Sequence, residues 1–108
     1  MTDYIQVVTT TERKEDAERI ARTLVEARLA ACVQVLGPIT STYRWKGAIH
    51  TSREWQCVAK SRLDLYTRLE ETIRGAHPYE VPEILALPIT AGSQGYLDWL
   101  DGELETSD

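Results

Sequence analysis

A chain of 108 residues is one domain's worth of polypeptide, residues 1–108, and can bury about two-thirds of the surface its unfolded form exposes, enough for one core. Hydrophobic residues at 43% and charged residues at 27% are the ordinary globular mix, which excludes a disordered chain, and no apolar run approaches the ~20 residues of a membrane span. Lys and Arg total 12 against 17 Asp and Glu, a formal charge of −5, whereas a domain that neutralises phosphates carries the opposite sign, so neither nucleic acid nor membrane is an expected partner.

The first residues, Met-Thr-Asp-Tyr-Ile, carry no basic and apolar leader, so the expected location is the cytoplasm. Residues 4–10, YIQVVTT, are mostly β-branched or aromatic and predict a strand. The period then changes. Ala17, Ile20, Ala21, Leu24 and Val25 form one apolar stripe, opposite Glu15, Glu18, Arg19, Arg22 and Glu26, and predict a helix over 14–27. Residues 30–36, AACVQVL, form a near-continuous apolar run, which predicts a strand covered on both faces. Gly37-Pro38 bends the chain, strand-like sequence resumes over 39–45, and Lys46-Gly47 is a turn. The return strand, 48–60, alternates Trp55, Cys57 and Ala59 with Glu54, Gln56 and Lys60. A second helix is predicted over 63–74, with Leu65, Tyr66, Leu69 and Ile73 as its stripe and Gly75 just beyond its end. Pro78 holds His77 extended, and residues 84–89, ILALPI, read as another buried-strand run, with Pro82 and Pro88 suiting its ends or an edge position better than its centre. After Gly92 and Gly95 comes a short amphipathic helix bearing Tyr96, Leu97, Trp99, Leu100 and Leu104.

Strand, helix, long hairpin, helix, strand and short helix amount to two tandem βαβ units. The expected class is α+β: a ferredoxin-like sandwich of a four-stranded antiparallel sheet with helices on one face. That fold hosts metal-binding domains, acylphosphatases, RNA-binding domains and ligand sensors, so it names no function.

Chemistry concentrates at His77, Tyr79, Glu80 and Glu83, on a segment stiffened by Pro78 and Pro82. Imidazole beside carboxylates serves proton transfer or metal binding; the same residues also fit a rigid connection whose polar groups are merely solvated. Cys32 and Cys57 are too few and too far apart for a disulfide scaffold or zinc motif, and sit among apolar neighbours where a thiol packs as a small hydrophobe. Tyr43, Trp45 and Trp55 are expected on a ribbon that overhangs the sheet, where they suit an interface or a stacking platform for a ring-bearing ligand. His50, near the hairpin tip, is expected to be exposed and inert. No nucleophile elbow, phosphate loop or paired-cysteine motif occurs. The first strand–helix junction, TTTERKE, contains no glycine, which argues against an acylphosphatase.

Several blocks stand in a familiar order: RLAACVQV at 28–35, Tyr43-x-Trp45-x-Gly47, Glu54 followed by Lys60, HPYEVPEI at 77–84, Pro88-Ile89 with Gly92, and Tyr96-Leu97-x-Trp99. Over nearly the whole chain they resemble the CutA divalent-cation tolerance proteins. The resemblance implies a ferredoxin-like subunit in a homotrimer of PII-like architecture, tolerance of copper and other divalent cations, and no catalytic activity. In copper-binding members it implies a cysteine at the end of the first strand and a histidine pair; this chain carries Thr9 and Ala76 at two of those positions and keeps His77.

Two functional readings follow. In the first, a non-enzymatic homotrimer responds to metal ions by weakly binding a divalent cation, Cu²⁺ foremost by the Irving–Williams order, at His77, Glu80 and Glu83, with no obligatory cofactor. In the second, a PII-like sensor takes a small anionic or ring-bearing ligand in clefts between subunits, using Tyr43, Trp45, Lys60, Tyr79 and Glu80. The ribbon itself argues for assembly, because its edges and aromatics need cover. Trp45 and Trp55 are expected to be buried only in the trimer.

Overall fold

The computed structural model describes residues 3–106. β1 (Tyr4–Thr11) turns Ile5, Val7, Thr9 and Thr11 to a buried face and leaves Tyr4, Gln6 and Val8 half-buried on the other. α1 (Lys14–Glu26) lays Ala17, Ile20 and Leu24 against that buried face. The chain leaves α1 through Arg28, whose backbone is left-handed at φ 59°. The Arg28 guanidinium donates to the carbonyls of Gly102 and Glu103, placing a cation at the negative end of the last helix.

β2 (Cys32–Trp45) and β3 (Ala48–Arg62) form the long hairpin. Trp45 pairs with Ala48 across a two-residue loop whose residues, Lys46 and Gly47, have φ of 50° and 80°. Two positive φ values suit the right-handed twist of the strands, which is the type I′ solution. The register shifts between Leu36 and Ile39 at Gly37-Pro38, joined by a cis peptide bond. A Cβ at Gly37 would stand 2.6 Å from Trp55 Cε3, so the bend needs glycine for the ring to pack there.

A 3-10 turn (Leu63–Leu65) leads into α2 (Tyr66–Ala76), followed by an irregular segment, β4 (Leu85–Pro88) and α3 (Gln94–Glu103). The strand order is β2-β3-β1-β4 with every neighbouring pair antiparallel, the ferredoxin-like arrangement. The core lies between the sheet and its helices: Ile5, Val7 and Ala59 meet Ile20, Leu24, Leu65, Leu69, Ile73 and Leu100. Arg62 ties the sheet to α3, donating to Asp64, Asp101 and the carbonyl of Glu105.

Three expectations need correction. The apolar runs at 30–36 and 84–89 are not covered on both faces. They belong to the edge strands β2 and β4, and α1 and α2 cover only one side of the sheet, so Leu36, Leu85 and Leu87 stay 47%, 56% and 46% exposed. Trp55 is not on the overhanging ribbon: it pairs with Thr11, lies half-buried, and carries Lys14 Nζ 5.3 Å from its ring centroid. Gly75 does not follow α2 but lies inside it, since the helix runs on to Ala76. The genuine overhang bears Tyr43, Trp45 and Ile49, all exposed, and the chain extends over 44 × 26 × 21 Å.

Candidate functional site

Three pieces of chain enclose one large cavity: the end of β1, the hairpin where it leaves the sheet, and the segment after α2. Thr10, Ser41, Thr42, Tyr43, Trp45, Glu54 and residues 79–83 line a volume of about 720 Å³, well within the range of small-molecule pockets. Three of the lining side chains are the carboxylates Glu54, Glu80 and Glu83, and no lysine or arginine lines it.

His77 holds the segment in place. Its ring is buried, with Nε2 2.8 Å from the Thr10 carbonyl oxygen, while Nδ1 accepts the Tyr79 N–H at 3.1 Å. An accepting Nδ1 puts the proton on Nε2, which donates to the carbonyl; this network assigns the neutral tautomer. Burial pushes the His77 pKa down, which favours that state. Tyr79 then reaches across the cavity, and its hydroxyl donates to Glu54 Oε2 at 2.7 Å. Burial, reinforced by the Glu54 carboxylate, pushes the Tyr79 pKa up and keeps the phenol protonated as a donor. The Glu83 carboxyl is raised too, first by burial and then by the charge of Glu54.

The expected metal trio is not assembled. Both His77 nitrogens are committed to hydrogen bonds, so the ring has no free lone pair, and no three His, Cys, Asp or Glu among the described residues are placed to hold a metal ion. Glu80 and Glu83 do reach the cavity. Of the expected ligand residues, Tyr43, Trp45, Tyr79 and Glu80 line it together. Lys60 does not: its Nζ donates to Gln34 Oε1 on the open face of the sheet, in the row of Gln6 and Cys32. With Lys60 elsewhere, the wall has no cationic side chain for an anion among the described residues. Thr9 sits on the buried face opposite Cys57, and its Oγ1 has no hydrogen-bond partner. Cys57 donates to the Ala17 carbonyl, and burial pushes its thiol up to about 11, so it packs and does not react. His50 is exposed and stacks on Tyr43.

Glu54 is the residue that sequence reasoning missed as part of a site. It was legible as a polar position alternating with Trp55 and Cys57 and as part of the block that ends in Lys60; its partner Tyr79 lies 25 residues away, and only the fold joins them.

Residues 5–103 match the model of the CutA1 divalent ion tolerance protein family. The chain belongs to that family. The divalent-cation tolerance protein CutA of Thermus thermophilus is 45% identical over 94 residues, covering 87% of this chain and 91% of its own. A solved structure of the divalent cation tolerance protein from Thermus thermophilus has a TM-score of 0.92 at 41% identity, covering 94% of this chain and 99% of that one. Human protein CutA is 45% identical over 84 residues, 78% of this chain; the chain spans about half (47%) of that longer relative, and 53% of the chloroplastic CutA of Arabidopsis thaliana. Every CutA element from β1 to α3 thus lies within or across the matched span, the cavity included. No helix among the described residues is long and apolar enough to cross a membrane.

Proposed function

We propose that this CutA chain is the subunit of a homotrimeric, non-enzymatic protein that serves divalent-cation tolerance through weak metal binding. The observation that carries the metal reading is a carboxylate pair, Glu54 buried and Glu83 exposed, without a countercharge. Glu54 and Glu83 line one cavity closely enough for Glu54 to lift the Glu83 carboxyl, and neither has a lysine or arginine partner among the described residues. An incoming divalent cation relieves that repulsion. Oxygen donors without a committed imidazole make a weak site, ranked towards Cu²⁺ among the first-row ions. Calorimetry with Cu²⁺ tests it: His77→Ala should retain the wild-type heat and the double variant Glu54→Gln, Glu83→Gln should lose it. An unchanged titration in the double variant overturns the assignment.

The trimer reading rests on uncovered surface. Val8, Val58, Leu85 and Leu36 share the open face of the sheet, β2 and β4 each leave an edge, and the overhang adds Tyr43, Trp45 and Ile49. Closed rotational symmetry covers such edges without propagating fibres. Sedimentation at micromolar concentration should give three times the subunit mass; a single-subunit mass overturns it. Two unpaired cysteines support a reducing, cytoplasmic compartment. A second reading, a PII-like sensor of a small ligand, is favoured by the aromatic wall of Tyr43 and Trp45 and by the size of the cavity.

A further inference from the structure

The cavity is much larger than a metal ion, and its wall is of two kinds. One part is acidic, with Glu54, Glu80 and Glu83; the other is apolar or aromatic, with Tyr43, Trp45, Val81 and Pro82. Glu54 is the decisive residue. It is only 7% exposed, its Oε2 takes the Tyr79 hydroxyl, and Oε1 has no protein donor among the described residues. The free Oε1 still reaches solvent at the cavity, and with no Lys or Arg in salt-bridge reach among the described residues it is open to a cationic or hydrogen-bonding group. An anion would meet three carboxylates. A bare ion would use the carboxylates alone and leave the apolar wall wet.

The geometry points to a small organic ammonium ion as the ligand of this cavity: a primary or secondary amine carried on an aromatic or alkyl body. Its N–H groups donate to Glu54 Oε1 and to Glu83, as charge-assisted hydrogen bonds. Its body covers the wall of Tyr43 and Trp45. Trp45 already takes a cation, Lys46 Nζ, 5.9 Å from its ring centroid, so its π face suits positive charge. Tyr79 holds the Glu54 carboxylate in orientation through its hydroxyl, and His77 holds Tyr79 through the main chain, so the site is assembled before the ligand arrives. This assignment rests on the cavity being the cation site of the preceding section, and it names the class of cation.

Titration calorimetry of the full chain tests it with phenethylamine, a ring-bearing primary ammonium. Phenylethanol and phenylacetate serve as its uncharged and anionic counterparts. The amine should bind saturably, the alcohol at least about tenfold more weakly, and the carboxylate not at all. Glu54→Gln and Glu83→Gln should each weaken the amine about tenfold and leave the alcohol unchanged. Should Glu54→Gln fail to melt cooperatively, Glu83→Gln decides, because its side chain lies on an irregular segment outside the core. Equal binding of amine and alcohol, an amine affinity indifferent to Glu83→Gln, or no saturable heat from the amine overturns the inference. A parallel Cu²⁺ titration separates the two readings. Metal heat without amine heat overturns the ammonium assignment alone; amine heat without metal heat upholds it and overturns the metal reading.

Discussion

The two faces of one sheet make opposite use of the same kind of residue. On the helix side, Ile5, Val7 and Ala59 lie beneath α1 and α2 and are at most 4% exposed. On the other side the same strands carry Val8, Val58 and Leu87 with nothing from their own chain above them but solvent or the flank of α3. Apolar alternation on both faces of an antiparallel sheet is more than one domain of this length can cover. The difference teaches that the chain carries apolar patterning on two faces and covers only one of them itself.

The largest effect that would break this contrast is expected in the closed core. Leu69→Ala removes a fully buried side chain between α2 and the sheet and should cost about 2–5 kcal/mol in urea unfolding. Leu87→Ala, on the open face, should cost no more than about 0.5 kcal/mol in a dissociated subunit, as surface changes do. A larger cost that grows with protein concentration would show that a second copy covers this face. Next comes the overhang. Trp45→Ala truncates a large ring that is 40% exposed in the single chain, and should lower the melting temperature of the assembled protein and make it concentration-dependent. An unchanged melting curve at every concentration would remove the aromatics from the interface.

Smaller effects come from the strap that joins the two faces at the cavity. His77 is neutral and doubly hydrogen-bonded in the fold, with its pKa below the ordinary 6.5. The unfolded chain therefore binds the proton first, and the stability His77 contributes is complete above about pH 6.5 and falls as the pH drops toward its lowered folded value. Unfolding from pH 8 to 5 should show a slope in the wild type that His77→Gln flattens; parallel profiles would detach the strap from the fold's pH response. Glu83 has the opposite sign, an acid whose folded pKa lies above the ordinary 4.5. Its penalty is absent below that pH and present once the folded group ionises, so Glu83→Gln should slightly stabilise the chain at pH 7 and not at pH 4. Destabilisation at pH 7 would mean that the carboxylate has a partner.

Much of this was legible residue by residue. The stripe of Ala17, Ile20 and Leu24 marked α1, the β-branched run marked β1, and Lys46-Gly47 marked the hairpin turn, because helix and strand periods and positive-φ turns are local properties. So was the crossover order. Which apolar strand would be covered was not legible: AACVQVL and ILALPI both read as buried runs, yet both became edges, a place that only Pro82 and Pro88 signalled for the second.

The sequence alone thus determined the elements and their order, since backbone periodicity and turn geometry are written within a few neighbouring residues. The tertiary structure decided everything that depends on distance in space. It committed His77 to Thr10 and Tyr79 instead of to a metal, set Lys60 farther along the open face against Gln34, and brought Glu54 within 2.7 Å of Tyr79. Hydrogen-bond partners and countercharges are chosen by which atoms meet when the sheet closes, and no spacing along the chain encodes that meeting.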